Sequence, residues 1–222
     1  LFFMPDQPAA VFAGPHIITI EDPAGCTFEQ EIFINQPQEL QVVFNPDVVV
    51  VELGDSTQRL NPLITSSLPI ASFAWTPSDY LSSDTVQRPL LLQPVIDTEY
   101  SLTITDINGC TANGSVLVEV DKARNVYIPN AFTPNGDGPN DEFRVFACRG
   151  VQTVNFVRIF DRWGNFLFEE RSITPECIGG SRLWDGRVKG KPAGQGVYIY
   201  MVEVQFLDGV TLLYRGDVTL LR

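Results

Sequence analysis

Oxygen-bearing side chains crowd into one short loop, residues 133–141, which holds two prolines, two glycines and four Asn or Asp residues. Ca²⁺ prefers such ligands, because it binds six to eight oxygens from carboxylates, amides and backbone carbonyls. The loop predicts either a calcium site made by Asn135, Asp137, Asn140 and Asp141 or an ion-free turn, since the same residue types build turns. Its spacing follows only part of the EF-hand pattern and lacks the distal Glu.

Apolar residues must hold this loop in place. Proline removes a backbone donor and glycine costs backbone entropy, so the segment is neither a helix nor a central strand. Ile128, Phe132 and Phe143 flank it and predict an ordered loop. Farther along, residues 197–206 alternate as a half-buried antiparallel strand does. Residues 163–165, Trp-Gly-Asn, predict a hairpin turn between two more strands.

An internal repeat organises the region before the loop. Residues 18–27 (ITIEDPAGCT) match residues 102–111 (LTITDINGCT), so the two copies lie 84 residues apart. Each copy predicts a strand, a turn of the form Asp-x-x-Gly and a Cys that opens the next strand. Trp75 at a third-strand position and Tyr100 at a tyrosine corner are typical of an immunoglobulin-like sandwich, and we expect both in the core.

These patterns predict an all-β protein of tandem immunoglobulin-like antiparallel β-sandwiches. We divide the chain into residues 1–40, the C-terminal part of a truncated repeat, residues 41–121, a complete Ig-like or PKD-like repeat, and residues 125–222, a third sandwich. The first segment is too short to bury its own core. It therefore either leans on the next domain or belongs to a domain whose front half is missing. The short charged linker, residues 121–125, predicts a semi-fixed geometry between the last two domains.

Composition and charge exclude several classes of function. The formal net charge of −12 repels nucleic acid and anionic membranes, and no apolar run reaches the length of a membrane span. The single histidine, His16, lies in the truncated repeat, so neither complete domain can build a Ser-His-Asp or Cys-His site. We expect no enzyme, no nucleic-acid partner and no direct membrane insertion. The opening residues hold no signal peptide, and we expect a C-terminal fragment of a longer secreted protein.

Four motifs follow one another in the last hundred residues: YIPNAFTPNGDGPNDEF, VRIFDRWGNFLFE, WDGRVKGKPAGQGVYIYMVEV and GDVTLLR. In these motifs, residues 125–222 resemble the gliding-motility-associated C-terminal domain, the type B sorting domain of the type IX secretion system. The resemblance implies secretion across the outer membrane to the cell surface through the type IX translocon. It also implies attachment there with an outer-membrane partner of the PorP/SprF kind. The alternative is a carbohydrate- or ligand-binding adhesion module that recognises a surface glycan.

Two cysteines, Cys148 and Cys177, both fall in this last domain and are either paired or buried as thiols. The implied secretion to an oxidising exterior favours the disulfide. In the chain-entropy model such a bond would contribute roughly 3 kcal/mol.

Several residues of the last domain are candidates for docking to a partner: Trp163, Trp184, Lys189, Lys191, Leu220 and Arg222. The terminal strand that holds Leu220 would act as an exposed edge that adds to a partner's sheet. Trp163 and Trp184 either form a sugar-binding platform or cap the sandwich core at hairpin ends, and the base rate for large aromatics favours the cap.

Overall fold

The computed structural model describes residues 12–36 and 38–222, and every regular element in these ranges is a β-strand. The strands of the described residues form six sheets, and each sheet stays within residues 14–34, 41–121 or 126–220. The predicted all-β, Ig-like fold is confirmed. The described part of the chain contains no helix that is both long and apolar enough to span a bilayer.

The first segment is a single hairpin. It is made by β1 (Gly14–Glu21) and β2 (Thr27–Ile34), which pair along their whole length. Its apolar side chains remain largely exposed, among them Phe28 and Phe33. His16 sits on β1, and its Nε2 contacts the carbonyl oxygen of Phe12 at 2.5 Å.

The second segment is a sandwich of a two-stranded and a four-stranded sheet. Its strands are β3 (Gln41–Val43), β4 (Val48–Glu52), β5 (Leu63–Thr65), β6 (Ile70–Thr76), β7 (Thr98–Asp106) and β8 (Thr111–Asp121). The order in the larger sheet is β4-β8-β7-β6, and β3 pairs with β5. Trp75 is buried, and its ring centroid lies 5.8 Å from that of Phe44, which follows β3.

The expected tyrosine corner is also present. Tyr100 is fully buried and its hydroxyl donates a hydrogen bond to the carbonyl oxygen of Asp79, 2.7 Å away. Burial raises the pKa of Tyr100 to about 12, because the interior disfavours the phenolate. Both residues that were expected to fill this core, Trp75 and Tyr100, therefore do so.

The third segment is a larger sandwich. Its strands are β9 (Val126–Tyr127), β10 (Ala131–Phe132), β11 (Phe143–Ala147), β12 (Val151–Phe160), β13 (Phe166–Ile173), β14 (Ser181–Trp184), β15 (Arg187–Val188), β16 (Lys191–Pro192), β17 (Gly196–Phe206) and β18 (Thr211–Leu220). A five-stranded sheet, β10-β18-β17-β12-β13, packs on a three-stranded one, β14-β11-β9. Phe143 on β11 and Tyr200 on β17 join the two sheets, with ring centroids 5.6 Å apart.

The sequence predicts antiparallel sheets, but each of the two sandwiches also contains one parallel pair of strands. β4 pairs with β8 in parallel, and β10 pairs with β18 in parallel. In both cases an early strand lies beside the last strand of its own domain. The intervening strands give the chain enough length to return in the same direction, as parallel pairing requires.

Candidate functional site

The acidic loop is closed by the carboxylate of Asp141. Its Oδ1 accepts a hydrogen bond from the backbone N–H of Gly136 and its Oδ2 accepts one from Gly138, both at 2.7 Å. These two backbone donors, that of Gly136 first, lower the pKa of Asp141 because they stabilise its charged form. Asp141 therefore organises the loop through main-chain contacts.

The other predicted calcium ligands are also engaged within the loop. The Asn135 side-chain amide donates to Asp137 Oδ2 at 2.9 Å, and Asn135 Oδ1 accepts from the Asp137 N–H at 3.1 Å. Asn140 has a positive φ of 56°, and its carbonyl oxygen accepts the Thr133 N–H at 2.7 Å. The described residues hold no group of three or more His, Cys, Asp or Glu able to bind a metal.

In this geometry both Asp141 oxygens, Asn135 Oδ1 and Asp137 Oδ2 accept hydrogen bonds from protein donors. A Ca²⁺ ion bound by these oxygens would share them with the hydrogen bonds between Asn135 and Asp137. Calcium binding stays a prediction. Addition of a chelator to the purified chain would lower its melting temperature only if the ion is bound, and Asp137→Ala would abolish that shift.

An open cleft of about 380 Å³ lies beside the loop. It is lined by Pro134, Gly136, Asp141, Glu142, Asp185, Arg187, Pro192 and Arg222. Two guanidinium groups, those of Arg187 and Arg222, thus share the cleft with three carboxylates. Arg222 was predicted as a docking residue, and it is exposed at this site.

The structure joins Cys148 and Cys177 in a disulfide, with Cα atoms 4.7 Å apart. Cys148 follows β11, and Cys177 lies in the loop between β13 and β14. The bond therefore ties the loop to the smaller sheet. The other two cysteines, Cys26 and Cys110, are free and exposed.

Two of the six docking candidates are not on the surface. Trp184 is 1% exposed; its ring packs on Phe132 and Tyr198, and its Nε1 donates to the Arg187 carbonyl at 2.8 Å. Leu220 is fully buried at the end of β18. Both predictions of a docking role were wrong for one reason: each side chain points into the sandwich, where it fills the core.

The terminal strand is a partly covered edge. β10 pairs with β18 only at Thr219 and Leu220, and the Leu221 N–H donates to the Phe132 carbonyl at 3.0 Å. Residues 211–218 of β18 have no strand beside them on that side among the described residues. Arg215 and Asp217 lie on this open stretch, and charged residues on an edge discourage unspecific pairing.

Lys189 and Lys191 lie on a small hairpin made by β15 and β16. Lys189 and Gly190 both have positive φ, 51° and 77°, as a two-residue turn of the primed type requires. Both lysines are exposed, so this basic hairpin is available to a partner.

Trp163 is the most exposed aromatic residue of the docking set, at 81%. It lies in the turn between β12 and β13, where Asp161 Oδ1 accepts the N–H groups of Trp163 and Asn165, each at 2.9 Å. The same Asp-x-x-Gly turn closes the two earlier hairpins, at Asp22 and Asp106, with the same side-chain bonds. In those turns the position of Trp163 is held by Ala24 and Asn108. The turn therefore folds without a tryptophan.

An apolar row continues from this turn across the outer face of the larger sheet. Phe166 pairs with Phe160, and Phe160 pairs with Ile199. The Phe160 and Phe166 rings are 5.9 Å apart, and Phe166, Ile199 and the nearby Val197 are exposed. We call Trp163, Phe160, Phe166, Val197 and Ile199 the aromatic end of the sheet.

The sequence carries a signal for this surface. Residues 197–202 read Val-Tyr-Ile-Tyr-Met-Val, so both faces of β17 are apolar at this end. Only one face was assigned to the core. The second apolar face of β17 points outward and forms part of the exposed apolar row.

The C-terminal sandwich has a recognised relative among protein families. Residues 126–218 match the family model described as the CHU_C Type IX secretion signal domain. Residues 126–218 are a type IX secretion signal domain. The chain thus carries a type IX secretion signal, which implies export across the outer membrane. We call the sandwich of β9 to β18 the signal domain.

Comparison with solved structures shows the fold alone. The chain is similar to the eight N-terminal Ig domains of Down Syndrome Cell Adhesion Molecule isoform 1.30.30, at 10% identity and TM-score 0.38, over 94% of this chain and 30% of that one. It is also similar to cadherin domains 1–4 of protocadherin gamma B7, at 10% identity and TM-score 0.37, over 95% and 65%.

A third similar structure is dimeric latent PorU from Porphyromonas gingivalis, at 18% identity and TM-score 0.29, over 93% of this chain and 20% of that one. The chain thus spans less than two thirds of each of these three structures. A search of curated proteins found no match. Likenesses of this level carry no functional argument.

Proposed function

We propose that the signal domain is recognised as a folded surface, and that it then holds the exported protein on the cell through an outer-membrane partner of the PorP/SprF kind. The Ig-like repeats space a distal part of the protein from that surface, in the manner of an adhesin stalk. The role is not enzymatic. The support for the attachment step is the exposure of Trp163.

Exposure of the Trp163 side chain has a cost in free energy. A large aromatic side chain in water forgoes the burial that usually stabilises it, roughly 1.5–3 kcal/mol for a large apolar side chain. The turn does not need it, because Ala24 and Asn108 serve at the same position. Exposed tryptophans next to other apolar residues are typical of binding hot spots. We infer that the aromatic end of the sheet is the part of the domain that a partner contacts.

The test is a secretion assay in a host with a type IX apparatus. A reporter with an inner-membrane export leader is fused ahead of the full chain, and the reporter is measured in the periplasm, on the surface and in the medium. Trp163→Asn places the residue of the second turn at the third. We expect the variant to fold normally and to lose surface attachment.

Ile178 provides the matched control, since it is 93% exposed and lies outside the aromatic end. Ile178→Asn should leave secretion and attachment unchanged. Normal surface display of the Trp163→Asn fusion would overturn the assignment of the aromatic end. Retention of the unaltered fusion in the periplasm would overturn the signal function itself.

A second candidate function is direct binding of a surface glycan. The exposure of Trp163 favours it, because an open indole face can stack on a sugar ring. The burial of Trp184 leaves one platform residue where two were predicted. A glycan array probed with the full chain would support this function if binding disappears in Trp163→Asn and persists in Ile178→Asn.

A further inference from the structure

The Ig-like repeat and the signal domain touch through two glycines. A Cβ atom placed on Gly54 would lie 2.7 Å from Leu207 Cδ1 and 3.1 Å from the Gly150 nitrogen. A Cβ atom on Gly150 would lie 2.9 Å from Leu53 Cδ2. Both glycines have positive φ, 76° and 70°. Gly54 therefore lies against the backbone of Gly150, and Gly150 lies against the Leu53 side chain, so a Cβ atom at either position would push its neighbour aside.

The contact has an apolar centre and a charged rim. Leu53 is buried, although it lies just beyond the end of β4. Beside it, Arg149 Nη1 donates to Glu52 Oε2 at 2.6 Å across the two domains. Both partners of this ion pair are largely exposed, so the pair contributes little stability, whereas two like charges at this rim would repel each other.

The linker is fastened to both sides of this contact. The Leu53 N–H donates to the Asp121 carbonyl at 2.9 Å. Arg124 makes two hydrogen bonds to the Asp208 carboxylate, at 2.7 and 3.2 Å, and its guanidinium lies 4.6 Å above the Phe206 ring. A linker held in this way cannot act as a free hinge.

The disulfide supports the same end of the signal domain. Cys148 directly precedes Arg149, and its carbonyl accepts the Val151 N–H at 3.2 Å. The Gly150 carbonyl accepts the Leu207 N–H at 2.8 Å. The turn that receives Leu53 is thereby fixed on both sides.

We propose that Arg149, Gly150 and Leu207 form a socket in the signal domain for the corner Glu52-Leu53-Gly54 of the preceding repeat, and that the two domains form one rigid body. The partner that this socket fits is an Ig-like repeat in which Leu-Gly directly follows a strand that ends in Glu. Neighbouring domains in a chain move relative to each other by default unless their interface is large and hydrophobic. Here the fastened linker and the close glycine contact would have to supply the rigidity. This inference does not depend on the proposed function.

The measurement is backbone ¹⁵N relaxation on the purified full chain. Amides of β7 and β8 report the tumbling of the repeat, and amides of β12 and β17 report that of the signal domain. We expect one rotational correlation time for both sets. Two clearly different correlation times in the unaltered protein would overturn the proposal.

Glycine variants test the contact itself. Gly54→Ala and Gly150→Ala should separate the two correlation times. The matched controls are Gly109→Ala in the repeat and Gly209→Ala in the signal domain, because both glycines have positive φ, 85° and 82°, with no atom within 4 Å of an added Cβ. The controls carry the same backbone strain without the clash. Equal behaviour of variants and controls would overturn the socket.

Proteolysis gives a second readout for the glycine variants. Trypsin cuts after Lys122 in the linker, and we expect that cut to become about ten-fold faster when the contact opens.

A charge swap tests the rim by relaxation alone, since it alters trypsin sites. Arg149→Glu should loosen the contact, and adding Glu52→Arg should restore it. Failure of the double variant to restore a single correlation time would contradict the assigned pairing.

Discussion

Two hairpins of this chain share a sequence motif but have opposite surroundings. β1–β2 and β7–β8 carry the repeated motif, and their registers correspond after the offset of 84 residues: Ile18 faces Gln30 as Leu102 faces Gly114. Their turns are the same, because Asp22 and Asp106 each accept two backbone N–H groups. Yet Leu102 and Ile104 are fully buried, while Ile18 and Ile20 are 45% and 60% exposed.

The difference arises from what packs on each hairpin. On β8, a Cβ atom at Gly114 would lie 2.7 Å from the Val42 carbonyl oxygen, so β3 rests directly on that glycine. The corresponding residue of the first hairpin is Gln30, which is exposed. The local sequence thus determines the turn and the register. A second sheet, distant in the chain, supplies the burial.

Removal of a core side chain from the second hairpin should have the strongest effect on stability. Leu102→Ala should lower the free energy of opening of the repeat by about 2–5 kcal/mol, since it removes buried carbons and leaves a cavity. Hydrogen exchange of the β8 amides measures that free energy. Ile18→Ala, at the corresponding exposed position, should change it by less than about 0.5 kcal/mol. Comparable losses from both variants would show that the first hairpin also stabilises the repeat.

A second variant tests whether β3 needs the glycine. Gly114→Ala should destabilise the repeat by about 1–3 kcal/mol, because the added methyl group collides with the Val42 carbonyl. The φ of Gly114 is not in the left-handed region, so the effect comes from the contact alone. Gln30→Ala is the control in the first hairpin. We expect this variant to leave the free energy of opening of the repeat unchanged. An unaffected Gly114→Ala repeat would mean that β3 can move aside.

The sequence predicts the local features of this chain better than the packing between distant strands. Asp-x-x-Gly spacing predicted the turns, and the positions of Trp75 and Tyr100 predicted the core of the repeat, because both signals are local or depend on one well-defined strand. The sequence predicts the same two alternatives for Trp184 and Trp163, but in the structure Trp184 is buried and Trp163 is exposed. Burial of Trp184 depends on Phe132 and Tyr198, which come from distant strands.

The exposure of Trp163 could have been predicted from the sequence. Its turn repeats the spacing of Asp22 and Asp106, so alignment of the three turns puts Trp163 at the position of Ala24 and Asn108. The outer apolar row was equally visible in residues 197–202. The contact of Gly54 with Gly150 was not, because glycines with positive φ occur in many turns of this chain and only the packing distinguishes these two.

A smaller effect concerns the turns themselves. Asp106 is buried and its Oδ1 accepts the N–H groups of Asn108 and Cys110 at 2.8 and 2.9 Å. Asp106→Ala should cost the repeat about 1–2 kcal/mol, because two donors lose their acceptor. Asp22→Ala should instead leave the repeat unchanged and only speed exchange at the amides of Ala24 and Cys26. Equal losses of stability in the repeat would contradict the independence of the two hairpins.

The smallest effect is a pH dependence in the third copy of the turn. Asp161 Oδ2 accepts the side-chain amide of Asn165 at 2.7 Å, and this bond, joined by the backbone donors of Asn165 and Trp163, lowers the pKa of Asp161. A lowered pKa in the folded state means that the carboxylate stabilises the turn above its unfolded pKa of about 3.9. That contribution is lost as the pH falls through the lower folded value. The amide shifts of Trp163 and Asn165 should therefore titrate below about pH 3.9.

Two variants test the role of the Asp161 charge. Asp161→Asn should remove the titration, since no ionisable group remains at the acceptor position. Asn165→Ala should move the midpoint upward, toward about 3.9, because the donor that lowers the pKa most is gone. A midpoint at or above that value in the unaltered protein would show that the charged form of Asp161 does not stabilise the turn. Trp163 would then owe its position to the glycine at 164 and not to the charge of Asp161.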